Sequence, residues 1–247
     1  MAKEIIMIKR ASVIIFAACG ILALSACGNK KQSQVQSVIE RPQQNVSQEN
    51  TTDTQSGNSS KDSNILIAYF TVPETDGVDT VAGASRGVKG NEVLGNTQYI
   101  ASEIQKNLGG DIFAIKTVND YPGTHSALLD YAYKEKGNNE RPALSAHIDN
   151  LDKYDYIFVG FPNWNADLPM PLYTFFDEYD FSGKTIIPFV THGGSGFSGT
   201  INTIKKLEPG ATVVDSGLSV SRNDVAGAQE AVKAWTDALI KDRKSVV

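Results

Sequence analysis

Three short stretches carry residue types that could hold a small ligand. Gly95-Asn96-Thr97 stands where helical spacing begins. A glycine and two small polar residues at a helix N-terminus offer an anion free backbone N–H groups, side-chain donors and the positive end of the helix dipole. Neutral donors alone suit a monophosphate ester. Asn96 as a plain helix cap fits the same residues equally well. Pro162-Asn163-Trp164-Asn165 follows an apolar run and offers a flat apolar surface rimmed by amides, which suits a planar ring. The alternative is Trp164 as a loop anchor packed on the body. Thr191-His192-Gly193-Gly194-Ser195-Gly196 is rich in glycine, so its backbone can approach a ligand closely. His192 there is placed to hydrogen-bond a ligand or donate a proton, and a histidine capping the strand end is the plainer alternative.

Several other chemistries are excluded. The nucleoside-triphosphate loop is absent, because no lysine follows Gly95 before Lys106, so no magnesium site is implied. Gly194-x-Gly196-x-x-Gly199 matches a dinucleotide fingerprint, with Asp215 at about the expected spacing, but chain for only one more helix follows. Gly196-Phe197-Ser198-Gly199-Thr200 approaches a hydrolase elbow but ends in threonine, and no histidine occurs after His192. Both cysteines, Cys19 and Cys27, lie before the folded body, so a disulfide, a thiolate metal site and thiol catalysis are excluded there. No metal is expected.

The elements that position these stretches follow from apolar spacing. Strands are expected at Ile65 to Phe70, Asp111 to Lys116, Tyr156 to Phe161, Thr185 to Val190 and Ala211 to Ser216. Helices are expected at Thr97 to Leu108, Ser126 to Glu135, Leu172 to Tyr179, Gly199 to Lys206 and Val225 to Ile240. The alternation predicts an α/β domain with an open doubly wound five-stranded parallel sheet. The first and third strands are apolar at almost every position and should be central. Each of the three stretches then follows a strand or opens a helix at the carboxyl end of the sheet, where such folds bind ligands. The glycine-rich segment Val72 to Leu94 is unusually long for a loop in a compact domain.

The rest of the chain is of another kind. Lys3, Lys9 and Arg10 precede the apolar run Ser12 to Ala26, too short to span a bilayer and read as a signal peptide over residues 1–26. Leu24-Ser25-Ala26-Cys27 resembles the lipobox of bacterial lipoproteins, which implies lipidation at Cys27 and an extracytoplasmic, membrane-anchored protein. Either Met1 or Met7 serves as a start. Residues 27–63 are the lipidated cysteine and a polar tether, with a root-mean-square reach of roughly 30 to 35 Å as a flexible coil. Residues 64–247 form one domain. The formal charge is -5, and removal of the signal peptide leaves the remainder about -7, a poor match for nucleic acid.

Taken together, Ile65 to Thr71, Gly95-Asn96-Thr97, Tyr156 to Trp164 and Phe181-Ser182-Gly183-Lys184-Thr185 through Gly196 resemble the flavodoxin family, particularly its short flavodoxin-like oxidoreductase members. The resemblance implies strand order 2-1-3-4-5 and FMN as cofactor. It assigns the phosphate to the first loop, through Thr71, Gly95, Asn96 and Thr97. It assigns the isoalloxazine ring to Pro162, Asn163, Trp164 and Asn165 and to Thr191, His192, Gly193, Gly194, Ser195 and Gly196. The departure is the separation of Thr71 from Gly95, with Asp76-Gly77-Val78-Asp79-Thr80 in the inserted segment. Electron transfer through FMN follows, by an enzyme acting on a small acceptor such as a quinone or by a carrier docking with partners. The donor and acceptor are unspecified. A ring face capped by Tyr69, Tyr121 or Phe197 would favour the carrier. A non-redox binding module that keeps the fold without flavin is the alternative.

Overall fold

The computed structural model describes residues 64–73, 87–89 and 92–245. The signal peptide, Cys27, the tether and Asp76 to Thr80 lie outside the described residues. The strands are β1 (Ile65–Tyr69), β2 (Gly87–Lys89), β3 (Glu92–Leu94), β4 (Asp111–Ala114), β5 (Tyr156–Pro162), β6 (Thr185–His192), β7 (Thr212–Val213) and β8 (Leu218–Ser221). The helices are α1 (Asn96–Leu108), α2 (His125–Asn138), α3 (Met170–Glu178), α4 (Thr200–Leu207) and α5 (Gln229–Ser245).

The main sheet is parallel in the order β4-β1-β5-β6-β7, with β8 also paired to β6. Taking β7 and β8 as one interrupted strand, this is the expected order 2-1-3-4-5. Every residue of β1 is buried, while β4 at the edge is exposed at Asp111 and Ile112. Alternate strand residues build two cores. Leu66, Ala68, Ile157, Val159 and Phe161 face α2, α3 and α4, whereas Ile65, Ile67, Tyr69, Phe158 and Phe189 face α1 and α5. The chain leaves β1 toward β4 on one side and lies beside β5 on the other, so the strand order reverses between β1 and β5. A ligand crevice is expected beyond their carboxyl ends.

Two expectations need correction. The fifth strand, expected as Ala211 to Ser216, is split into β7 and β8 on either side of Gly217. A Cβ at Gly217 would stand 2.4 Å from the Pro188 carbonyl oxygen and 2.6 Å from the Phe197 ring, so the chain crosses there with no side chain. Asp215 lies in this crossover, exposed and paired with Lys205. Second, the segment read as loop includes an antiparallel hairpin, β2 with β3. Three-residue strands are too short to show a period of two.

Far from the crevice, Glu208 follows α4 and is 9% exposed. Burial pushes its carboxyl from 4.5 up to about 7, with Asp180 and Asp177 adding repulsion against a backbone bond at Phe181. A raised carboxyl pKa favours the protonated folded form. The stability it permits is complete below about pH 4.5 and falls as pH rises through 7. Glu208→Gln is therefore expected to be more stable than wild type at pH 8 by about 1 to 3 kcal/mol, with the difference vanishing near pH 4. Urea midpoints at the two pH values check this.

Candidate functional site

The first loop is rebuilt across the inserted segment. Thr71 lies just beyond β1, and a Cβ on Gly95 would fall 1.9 Å from its hydroxyl oxygen. Only glycine lets the two come together. Gly95, extended at φ -65° and ψ 143°, caps α1, so Asn96 is the first helical residue and the plain-cap reading of its side chain fails. The first intrahelical donor is Tyr99, which bonds the Gly95 carbonyl at 2.9 Å, leaving the N–H groups of Asn96, Thr97 and Gln98 with no helical partner.

The side chains at this helix start are buried and short of partners. Asn96 is 1% exposed, and neither its amide nitrogen nor its amide oxygen has a hydrogen-bond partner. The Thr71 hydroxyl is in the same condition. Each such group costs about 1 to 3 kcal/mol. Unpartnered donors at a dipole's positive end, beside a glycine that admits close approach, suit a phosphate ester. Thr97 differs. Its hydroxyl bonds that of Thr191 at 2.9 Å, with both residues wholly buried, and so joins the first loop to the end of β6.

The second and third loops are stitched together. The Asn163 amide nitrogen donates to the Gly196 carbonyl at 2.6 Å and to the Ser198 hydroxyl at 3.0 Å, and the Asn163 backbone N–H donates to Thr191 at 2.8 Å. Gly194, Gly196 and Ser198 have φ of 139°, 57° and 51°, so these bonds hold a backbone that glycine favours and Ser198 does not. Gly193, Gly194 and Ser195 are exposed at the tip. His192 accepts the Gly194 N–H at Nδ1, 3.0 Å away, and Arg222 N–H bonds its carbonyl. Burial lowers its pKa and Asp224 opposes that shift. A neutral ring accepting at Nδ1 keeps its proton on Nε2, so His192 both orders the turn and remains a possible donor. Pro162 ends β5 in register with Thr191.

Trp164 is held inward. It is 8% exposed and meets Phe70 edge-on at 5.4 Å and Tyr121 at 5.6 Å. The structure thus places it as the anchor that the sequence offered as an alternative, with the remainder of the residue lining a small cavity beside His125 and Leu128. Asn165 and Ala166 follow at φ 55° and 58°, the centre of a two-residue turn closed by Trp164 and Asp167. Lys136 on α2 fastens it, donating to the Asn165 carbonyl at 2.9 Å and pairing with Asp167 at 3.1 Å, while the Tyr173 hydroxyl bonds Asp167 at 3.0 Å.

Sequence reasoning missed Lys136, Glu135 and Phe70. Glu135 is buried and accepts the Tyr121 hydroxyl at 2.6 Å; burial raises the pKa of both. Phe70, Tyr121 and Trp164 form one aromatic cluster, so Tyr121 is committed to it. Of the other ring-capping candidates, Tyr69 is buried against the α1 face and Phe197 packs on Phe161. No local signal marks these contacts, which join residues far apart in sequence. Among the described residues no cluster of three metal-ligating side chains occurs, and no helix is long and apolar enough to cross a membrane.

Comparison with known proteins bears on the family and the fold. No curated protein matches the chain. A family model described as flavodoxin matches residues 91–239. Among solved structures, the chain is similar to a flavoprotein of Bacteroides eggerthii at 25% identity and TM-score 0.50, covering 70% of this chain and 96% of that one. It is also similar to a flavoprotein of Bacteroides uniformis (24%, 0.49, 72% and 99%) and to a flavoprotein of Lactobacillus acidophilus in complex with FMN (17%, 0.46, 67% and 97%). With the parallel sheet in the expected order and the family model spanning more than half its length, the chain belongs to the flavodoxin family.

Proposed function

We propose that the protein binds FMN and transfers electrons through it while tethered by a lipidated Cys27 outside a bacterial membrane. The observation that carries the cofactor is the set of buried, partnerless atoms on Thr71 and Asn96 around the start of α1. Their donors and the N–H groups of Asn96, Thr97 and Gln98, which have no helical partner, match one phosphate ester. FMN, when bound, supplies reversible uptake and release of electrons.

The chain's own residues do the rest. Gly95 lets the backbone reach the phosphate, and Thr97 with Thr191 fixes the first loop against the third. Asn163 fixes the third loop against the second, Lys136 fastens the turn after Trp164, and the buried aromatic cluster beneath keeps water from that side. His192, neutral near pH 7, is placed at the end of β6 to hydrogen-bond the ring or give a proton from Nε2.

The test is the visible spectrum of the purified protein supplied with FMN. An absorption in the blue that bleaches with dithionite and returns with an oxidant is expected. No retained flavin after removal of excess FMN would instead favour the non-redox binding module. Membrane fractions test the anchor: Cys27→Ala should move the protein into the soluble fraction, and equal pelleting of variant and wild type would refute the lipidation.

A further inference from the structure

The start of the third loop hangs on one ring nitrogen. His192, the last residue of β6, accepts the Gly194 N–H at Nδ1, 3.0 Å away. Beyond Gly194 the loop is held from elsewhere: Asn163 donates to the Gly196 carbonyl, and the Ser198 N–H bonds the Ser195 carbonyl at 3.2 Å. Among the described residues, the bond to His192 is the one hydrogen bond of Gly194, which stands at φ 139° between two exposed neighbours, Gly193 and Ser195. Nδ1 can accept only while the ring is neutral. A protonated imidazole carries an N–H at both nitrogens, so Nδ1–H and the Gly194 N–H would face each other as two donors. Either the ring or the Gly193–Gly194 backbone must then turn away.

Few charges surround the ring. Among the described residues, β5, β6, β8 and the third loop bring no Asp, Glu, Lys or Arg, and α4 keeps Lys205 and Lys206 in its last turn. The chain after β8 brings Arg222 and Asp224. The Arg222 backbone N–H bonds the His192 carbonyl at 2.8 Å. A turn closed at 2.8 Å by the Asp224 N–H on the Ser221 carbonyl carries Asp224 back toward His192, the strand partner of Ser221. Burial lowers the His192 pKa from 6.5 and outweighs Asp224, which raises it. A lowered histidine pKa favours the neutral ring in the fold. The Nδ1 bond is therefore complete above about pH 6.5 and is lost as pH falls through the lower folded value.

We propose that His192 is a pH-sensitive latch on the third loop: neutral, it fixes Gly194, and protonated in mild acid, it releases Gly194 and loosens the hold on the cofactor. Asp224 sets the pH of release. The cofactor part rests on the FMN reading, whereas the latch belongs to the flavin-free chain.

The experiment follows the His192 ring nitrogens and the Gly194 amide by NMR in full-length, flavin-free protein from pH 8 to pH 4.5, with His192→Asn and Asp224→Asn alongside. In wild type both signals should move with one midpoint. Below that midpoint the Gly194 amide should exchange at least tenfold faster than in His192→Asn, whose uncharged amide oxygen can replace Nδ1 as acceptor at every pH. Comparing the two proteins at each pH cancels the intrinsic pH dependence of exchange and the titration of Glu208. Asp224 is exposed, so Asp224→Asn should fold, and its midpoint should move to lower pH because the protonated ring loses an attractive charge. In FMN titrations between pH 7.5 and pH 4.5, wild type should lose at least tenfold more affinity than His192→Asn, a ratio that also cancels protonation of the FMN phosphate. A Gly194 amide unmoved while His192 titrates, a ring still neutral at pH 4.5, or the same pH dependence in wild type and His192→Asn would overturn the latch. An unmoved midpoint in Asp224→Asn would overturn the role of Asp224. Binding of FMN by neither protein at any pH would refute the flavin reading separately, because the latch is read without flavin.

Discussion

Thr71→Val is expected to make the flavin-free protein more stable and its hold on FMN weaker. The Thr71 hydroxyl is buried without a partner, and valine matches threonine in shape, so the substitution removes an unsatisfied polar group without opening a cavity. A gain of about 1 kcal/mol in the flavin-free fold follows, at the low end of the cost of such groups. With FMN bound, the same hydroxyl would make a charge-assisted hydrogen bond of about 1.5 to 3 kcal/mol, so affinity should fall by roughly 10- to 10²-fold. A residue that served only the fold would move both quantities together. Urea midpoints of the flavin-free proteins, with FMN titrations of the same samples, check both signs. A loss of stability with unchanged FMN affinity would place Thr71 in the fold and not in the site.

Trp164→Ala is expected to cost the flavin-free protein about 3 to 5 kcal/mol, the range for deleting a buried large aromatic. The indole is packed against Phe70 and Tyr121, and its removal leaves their edges without a neighbour in the core beneath the second loop. Weakened FMN binding should follow from the loosened loop. Trp164→Phe, which refills part of the space, should recover most of the stability and most of the affinity. If Trp164→Ala kept full stability in denaturant while losing FMN, the indole would be a stacking surface open to the ring, as the loop's composition first suggested.

The sheet was legible because its central members announce themselves. Ile65-Leu66-Ile67-Ala68-Tyr69 and Tyr156 to Phe161 are apolar on both faces, and that pattern needs helices on both sides. The break at Gly217 was not legible, because the Pro188 carbonyl and the Phe197 ring that exclude a side chain there come from other parts of the chain. The hairpin at β2 and β3 was too short to register a period. In the site, Gly95-Asn96-Thr97 stood out through local chemistry, since a glycine before two polar residues has meaning wherever a helix begins. The meeting of Thr71 with Gly95 across the insertion, the Asn163 bonds to the third loop and the Lys136 contact with Asn165 depend on tertiary placement. Trp164 shows the same limit from the other side: its position after a central strand is visible in sequence, but whether it faces the crevice or the core depends on Phe70 and Tyr121.

The most direct measurement is an equilibrium titration of flavin-free wild-type protein with FMN and, separately, with riboflavin. The two ligands share the ring and differ in the phosphate, so their ratio isolates the start of α1 with Thr71 and Asn96. Two or more charge-assisted hydrogen bonds predict FMN tighter than riboflavin by roughly 10² to 10⁴. Equal affinity for the two, or binding of neither, would contradict a phosphate-reading flavin site in this protein.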